Sequence, residues 1–129
     1  MKQVHRTLVW FRGKALRVSD HEPLIKALED GEVIPLFVFD PYFFHPLRAR
    51  KLPHRMQFLL ESISALSDSL SSLGSRLICV SGSSIAVIPD LAERWGVTQV
   101  FAHRWTEPFG RVRDAKVADA LSVPLKLFE

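Results

Sequence analysis

Five apolar runs punctuate the chain, and the segments between them carry apolar residues at helical spacing. RTLVWF (6–11) and EVIPLFVFD (32–40) are near-continuous runs of strand-favouring residues, the pattern of strands covered on both faces. RLICV (76–80), TQVFA (98–102) and VPLKLF (123–128) are further strand candidates. SDHEPLIKALED (19–30) predicts a helix with Ser19 or Asp20 as N-cap and Gly31 as its stop. In RMQFLLESISALSDSLSSLG (55–74) the residues Met56, Leu59, Leu60, Ile63, Leu66, Leu70 and Leu73 recur at steps of three and four, with Gly74 at the end. SSIAVIPDLAERWG (83–96) and the segment 108–121 predict two more helices; Pro89 either kinks the first of these or marks where its regular part begins. Between 41 and 54 lie three prolines and no periodicity, which predicts a long loop of the kind that often serves function.

Strand and helix alternate throughout. That order predicts a doubly wound, Rossmann-like α/β domain: a five-stranded parallel sheet in strand order 3-2-1-4-5, with right-handed crossovers and helices on both faces. In such a sheet ligands bind beyond the carboxyl ends of the strands, where the strand order reverses, here between strands one and four. The segments leaving that edge carry Arg12, Lys14 and Arg17 after strand one, Asp40 after strand two, Ser83 and Ser84 after strand three, and His103, Arg104, Trp105 and Glu107 after strand four. Cations, acceptors and an indole in one place suit a flat, anionic ligand, and backbone N–H groups of Ser83 and Ser84 at a helix start would add to it. Arg55 opens the long helix, where the helix dipole disfavours a cation, so it is expected to meet a ligand or a carboxylate. The plainer readings stand beside these: Lys14 and Arg17 as solvated loop charges, Asp40 as a turn cap with Pro41, Trp10 and Trp95 as core.

Composition narrows the class. The 129 residues, 47% apolar and 24% charged, fit one globular domain spanning 1–129. A net charge of +3 permits an anionic partner without requiring one. The single Cys79, inside RLICV, reads as a buried, unpaired thiol, which suits a reducing cytoplasm. No apolar run is long enough for a bilayer and MKQVHR lacks a signal-peptide core, so a cytoplasmic protein without a membrane partner is expected. The five histidines show no ligand spacing, and no metal site is expected. GxGxxG, GxxxxGK[ST] and GxSxG are all missing, so a dehydrogenase-type dinucleotide site, a P-loop and a nucleophile elbow have no support. No catalytic residue is assigned.

Four stretches in order, LVWFRGKALRVSDHEPL, IPLFVFDP, RMQFLLESISALSDSLSSLGSRL and TEPFGRVRDAKVADAL, resemble the N-terminal α/β domain of DNA photolyases and cryptochromes. The resemblance covers essentially the whole chain. It implies an antenna chromophore, a folate, deazaflavin or flavin, carried by or beside this domain. It also implies a helical domain, following this one, that holds FAD, binds DNA and flips the pyrimidine dimer out. By the resemblance, Arg12 falls on the first arginine of the strand-one exit and Asp40 on the aspartate ending strand two. Arg55 falls on the arginine that lines the antenna pocket of deazaflavin-binding members, and Glu107, Arg111, Arg113 and Asp114 fall on the helix motif. Arg12-Gly13-Lys14-Ala15-Leu16-Arg17 is one residue longer than the family's usual segment, with Ala15 where an acid is common. Trp105 stands where many members place an aspartate that bonds the chromophore.

The function expected is therefore that of an antenna-chromophore-binding domain. It would harvest light for a reduced FAD held in a separate helical domain that repairs pyrimidine dimers, and DNA would be met only through that domain. The 129 residues end on the fifth strand, so no repair is expected from them alone. A stand-alone nucleotide- or flavin-binding regulatory module of the same fold is the alternative, and a purely structural domain is a third.

Overall fold

The computed structural model describes residues 4–13, 16–41, 53–105 and 108–129. Its elements are β1 (His5–Trp10), α1 (Glu22–Asp30), β2 (Gly31–Phe39), α2 (Pro53–Ser72), β3 (Ile78–Ser81), α3 (Ser84–Arg94), β4 (Gln99–His103), α4 (Pro108–Ala120) and β5 (Leu125–Phe128). The strands form one sheet in the order β3-β2-β1-β4-β5, and every pairing is parallel. The predicted doubly wound architecture is the one observed. Most of the predicted loop, residues 42–52, lies outside the described residues.

Side-chain alternation along the strands sorts the core into two layers. Val9 and Phe11 face Leu24 and Ala27 of α1 and Ile63, Leu66 and Leu70 of α2. Leu8 and Trp10 face the opposite layer, with Ile88 and Ala92 of α3 and Val117 of α4. The central strand β1 is thus sealed on both sides, which is why it reads as an unbroken apolar run.

Local departures from expectation have physical causes. The N-cap of α1 is His21, not Ser19 or Asp20: its Nδ1 accepts from the Leu24 backbone N–H at 3.1 Å. Asp20 sits at φ +50, in left-handed backbone, whereas an N-cap needs the extended region. On α2, Leu60 and Leu73 are exposed rather than core. Leu60 falls one position beyond the buried stripe, and Leu73 follows the helix end. That end is a Schellman motif, with Ser75 N–H donating to Leu70 O, Gly74 N–H to Ser71 O, and Gly74 at φ +79. Helix α3 runs through Pro89, which costs it the hydrogen bond to the Ile85 carbonyl. Cys79 is exposed, contrary to the buried thiol expected. It lies on the edge strand β3, where half-buried and exposed positions alternate.

Among the described residues no helix is long and apolar enough to cross a membrane, and no cluster of His, Cys, Asp and Glu is arranged to hold a metal ion.

Candidate functional site at the carboxyl edge of the sheet

The first cation beyond β1 is not a loop charge. Arg12 is 6% exposed and makes a two-pronged pair with Asp114 of α4, Nη1 to Oδ1 at 2.5 Å and Nη2 to Oδ2 at 2.7 Å. Its Nε and Nη2 also donate to the His103 carbonyl at the end of β4, at 3.2 and 2.8 Å. One guanidinium thereby ties the exits of β1 and β4 to α4 across the switch point. Planar, five-donor geometry is what makes this possible; an ammonium would not span the three bonding directions.

A second buried cation stands beside it. Arg113 is 5% exposed, its Nε 3.7 Å from Asp114 Oδ1. Burial and the neighbouring Arg12 charge push its pKa down, while Asp114 and Asp40 act in the opposite direction. The two guanidiniums lie 4.2 and 5.0 Å from the ring of Trp10, and 5.9 and 5.3 Å from that of Trp105, within cation–π range.

Asp40 closes the third side. Its Oδ2 accepts from the Ser84 N–H at 3.1 Å and from the Ser84 hydroxyl at 2.9 Å. The anion expected at the start of α3 is thus a carboxylate of the protein itself, held by the first residue of the helix. Two cations, Arg12 and Arg113, therefore meet two carboxylates, Asp114 and Asp40, and this buried group of four is formally neutral.

These side chains enclose a cavity of about 140 Å³ at the carboxyl ends of β1 and β2. Trp10, Arg12 and Gly13 wall it from β1 and its exit, Phe37, Val38 and Asp40 from β2, and Leu59, Ser84, Trp105 and Arg113 complete it. Trp105 also walls a second cavity of about 210 Å³, bounded by Arg104, Arg111, Asp114 and Leu127. Its indole is wedged between two glycines. A Cβ on Gly13 would stand 2.8 Å from Trp105 Cζ3, and one on Gly110 would overlap Cδ1 and Cγ.

The structure thus brings together Arg12, Asp40 and Trp105. Arg104 turns away and pairs with Glu129, Nε to Oε1 at 2.8 Å, both groups exposed. Arg17 folds onto its own loop, donating to the carbonyls of Ser19 and Asp20 at 2.9 and 3.2 Å. Arg55 lies in the first turn of α2 with its side chain outside the described residues, as are Lys14 and Glu107 altogether. His103 contributes its carbonyl to the site; its ring lies edge-on to His21 at 4.7 Å. Burial, aided by the Arg17 charge, lowers its pKa. Trp10 is both core, as expected, and a wall of the cavity. Reading strand exits alone passed over Arg113 and Asp114 as site residues. The signal available was their place in the motif of α4, two charged neighbours beside the exposed, apolar Val112.

Fold and site together define a doubly wound α/β domain with a ring-and-guanidinium cluster at its switch point. The family model described as DNA photolyase matches residues 7–129, and the chain belongs to that family. It is 38% identical over 120 residues to the deoxyribodipyrimidine photo-lyase of Thermus thermophilus, covering 93% of this chain and 27% of that protein. It is 41% identical over 128 residues to cryptochrome DASH of Gloeobacter violaceus, covering 94% and 25%. A Synechocystis cryptochrome crystal structure superposes with a TM-score of 0.82 at 29% identity, over 99% of this chain and 28% of that one. An archaeal photolyase from Sulfolobus tokodaii, described with two FAD molecules that imply a novel light-harvesting cofactor, superposes at 0.78 with 25% identity, over 96% and 29%. The chain thus spans about a quarter of the length of these relatives and corresponds to their N-terminal α/β domain.

Proposed function

We propose that the chain acts as the antenna-type domain of a photolyase or cryptochrome. It would harvest light for a reduced FAD held in a separate helical domain, with DNA met only through that domain, whose repair of pyrimidine dimers is the process served. The cytoplasm is its proposed location. The observation that carries this reading is the gathering of two indoles and two guanidiniums around a cavity at the switch point, in a chain of this family. Aromatic faces and planar cations are what a flat, conjugated ring is held by.

The cavity in this arrangement does not fit a whole folate, deazaflavin or flavin. Sites for ligands of that size enclose roughly 300 Å³ or more, against about 140 Å³ here. A cavity of about 150 Å³ in another protein holds a single benzene ring. The guanidinium nitrogens of Arg12 and the Oδ2 of Asp40 are also already engaged by protein partners. What these residues do on their own is brace Trp10 and Trp105 within a buried, formally neutral group of four charges.

The reading is tested by the absorbance spectrum of the protein purified from its native host. A near-UV or blue band that is released on denaturation as a pterin, deazaflavin or flavin is expected. ATP or AMP released in its place would overturn the antenna reading in favour of a stand-alone nucleotide-binding module.

A further inference from the structure

We propose that Trp105 is the specificity-determining residue of this edge: its indole occupies the volume that a second and third ring would need, so a polycyclic chromophore is seated only when the indole leaves. The inference rests on the reading of the carboxyl edge as the ligand position, and it adds which side chain sets the size of ligand admitted.

Three observations converge on Trp105. It is a shared wall of the two cavities, of about 140 and 210 Å³. Neither alone reaches the roughly 300 Å³ of a cofactor-sized site, whereas the two joined exceed it. The indole is also fitted rather than merely adjacent, because Gly13 and Gly110 both lack the Cβ that would collide with it. Finally, the guanidiniums of Arg12 and Arg113 lie over the indole at 5.9 and 5.3 Å, so Trp105 holds the place beside those cations that a planar ligand ring would take. With the indole removed, those cations and Trp10 would face a single space reaching to Arg104 and Arg111. A tricyclic ring would then meet Trp10 at one end and exposed cations suited to an anionic tail at the other.

The energetic consequence has a definite sign. A ligand that needs the minor, indole-out form binds with its affinity reduced by the fraction of chains in that form. A form disfavoured by a few kcal/mol is populated at about 0.1–10%, so removing the indole should tighten binding at least about tenfold.

FMN is the probe, titrated into the 129-residue chain and followed by flavin fluorescence, with far-UV circular dichroism to verify folding. Trp105→Ala should bind FMN at least about tenfold more tightly than the parent chain. Gly110→Ala should do the same with the tryptophan retained, because the new methyl overlaps the indole and expels it; this variant keeps the test valid if Trp105→Ala fails to fold. Equal affinity across the three proteins, or weaker binding by the variants, would overturn the proposal, since the indole would then be neutral or a stacking partner. Absence of FMN binding in all three would overturn it too, because opening the wall would have created no site. A native protein carrying ATP or AMP would sink the antenna reading while leaving this size test intact.

Discussion

Strand β1 has an arginine near each end, and the two live in opposite physical worlds. Arg6, near the start, pairs with Glu32 at 2.7 Å and donates to the Trp95 carbonyl at 2.6 Å, with the pair's side chains 45% and 64% exposed. Arg12, two residues past the end, pairs with Asp114 beside Trp10, with side chains 6% and 4% exposed. Sequence chemistry is nearly the same: a guanidinium, a carboxylate and a tryptophan. What differs is water. At the amino edge Arg6 and Glu32 present charges that solvent can serve, while beneath them the buried Gln99 donates to Thr7 and Asp30 at 2.7 and 2.9 Å and holds the Asp30 carboxyl below its usual pKa. At the carboxyl edge the guanidiniums are shut in, so each needs a protein partner. The lesson is that a charge becomes architecture only where desolvation makes its partner obligatory.

The largest effect should follow from breaking the buried pair. Asp114→Asn leaves Arg12 and Arg113 buried without their shared negative charge, and a buried pair broken on one side typically loses roughly 3–5 kcal/mol. Urea unfolding of the variant should show a loss of that order, with an unchanged slope. A loss below about 1 kcal/mol would erase the contrast between the two ends of β1.

A smaller loss is expected one step away. Ser84→Ala removes the hydroxyl that donates to Asp40 at 2.9 Å but keeps the backbone N–H at 3.1 Å. Hydrogen bonds to charged groups contribute about 1.5–3 kcal/mol, so a loss of about 2 kcal/mol is expected by the same urea titration. A neutral result would mean that Asp40 is held by the helix start alone.

How much of this was legible beforehand follows the same divide. The sheet order was readable because β1 and β2, buried on both faces, spell themselves as apolar runs, and because glycine punctuates the helices. Cys79 was misread for the complementary reason: RLICV is apolar in composition, but β3 is an edge strand with alternate residues facing out. Arg12, Asp40 and Trp105 were readable as neighbours because each leaves a strand at the carboxyl edge of the sheet. Asp114 was not assigned to the site, since α4 places Arg113 and Asp114 inward and Val112 outward, the reverse of what hydrophobic periodicity reports. A buried charge is specified by a partner 102 positions away, and no local pattern encodes that distance. The N-cap of α1 escaped similarly, because ring nitrogens are rarer acceptors there than hydroxyls and carboxylates.

The smallest effect completes the comparison from the wet side. Glu32→Gln is the counterpart of Asp114→Asn, the same change of carboxylate to amide, and it leaves Arg6 its bond to the Trp95 carbonyl. Exposed pairs contribute about 0–1 kcal/mol, so urea unfolding at low ionic strength should register a loss below about 1 kcal/mol. Raising the salt concentration to about 1 M, where the screening length falls to about 3 Å, should remove most of that difference. The Asp114→Asn loss should survive the same salt, because both partners are buried and a buried pair is screened much less than an exposed one. Should both losses shrink alike with salt, the carboxyl edge is wetter than its burial indicates. The buried cluster around Trp105 would then be open to solvent, and the indole would no longer set the size of the site.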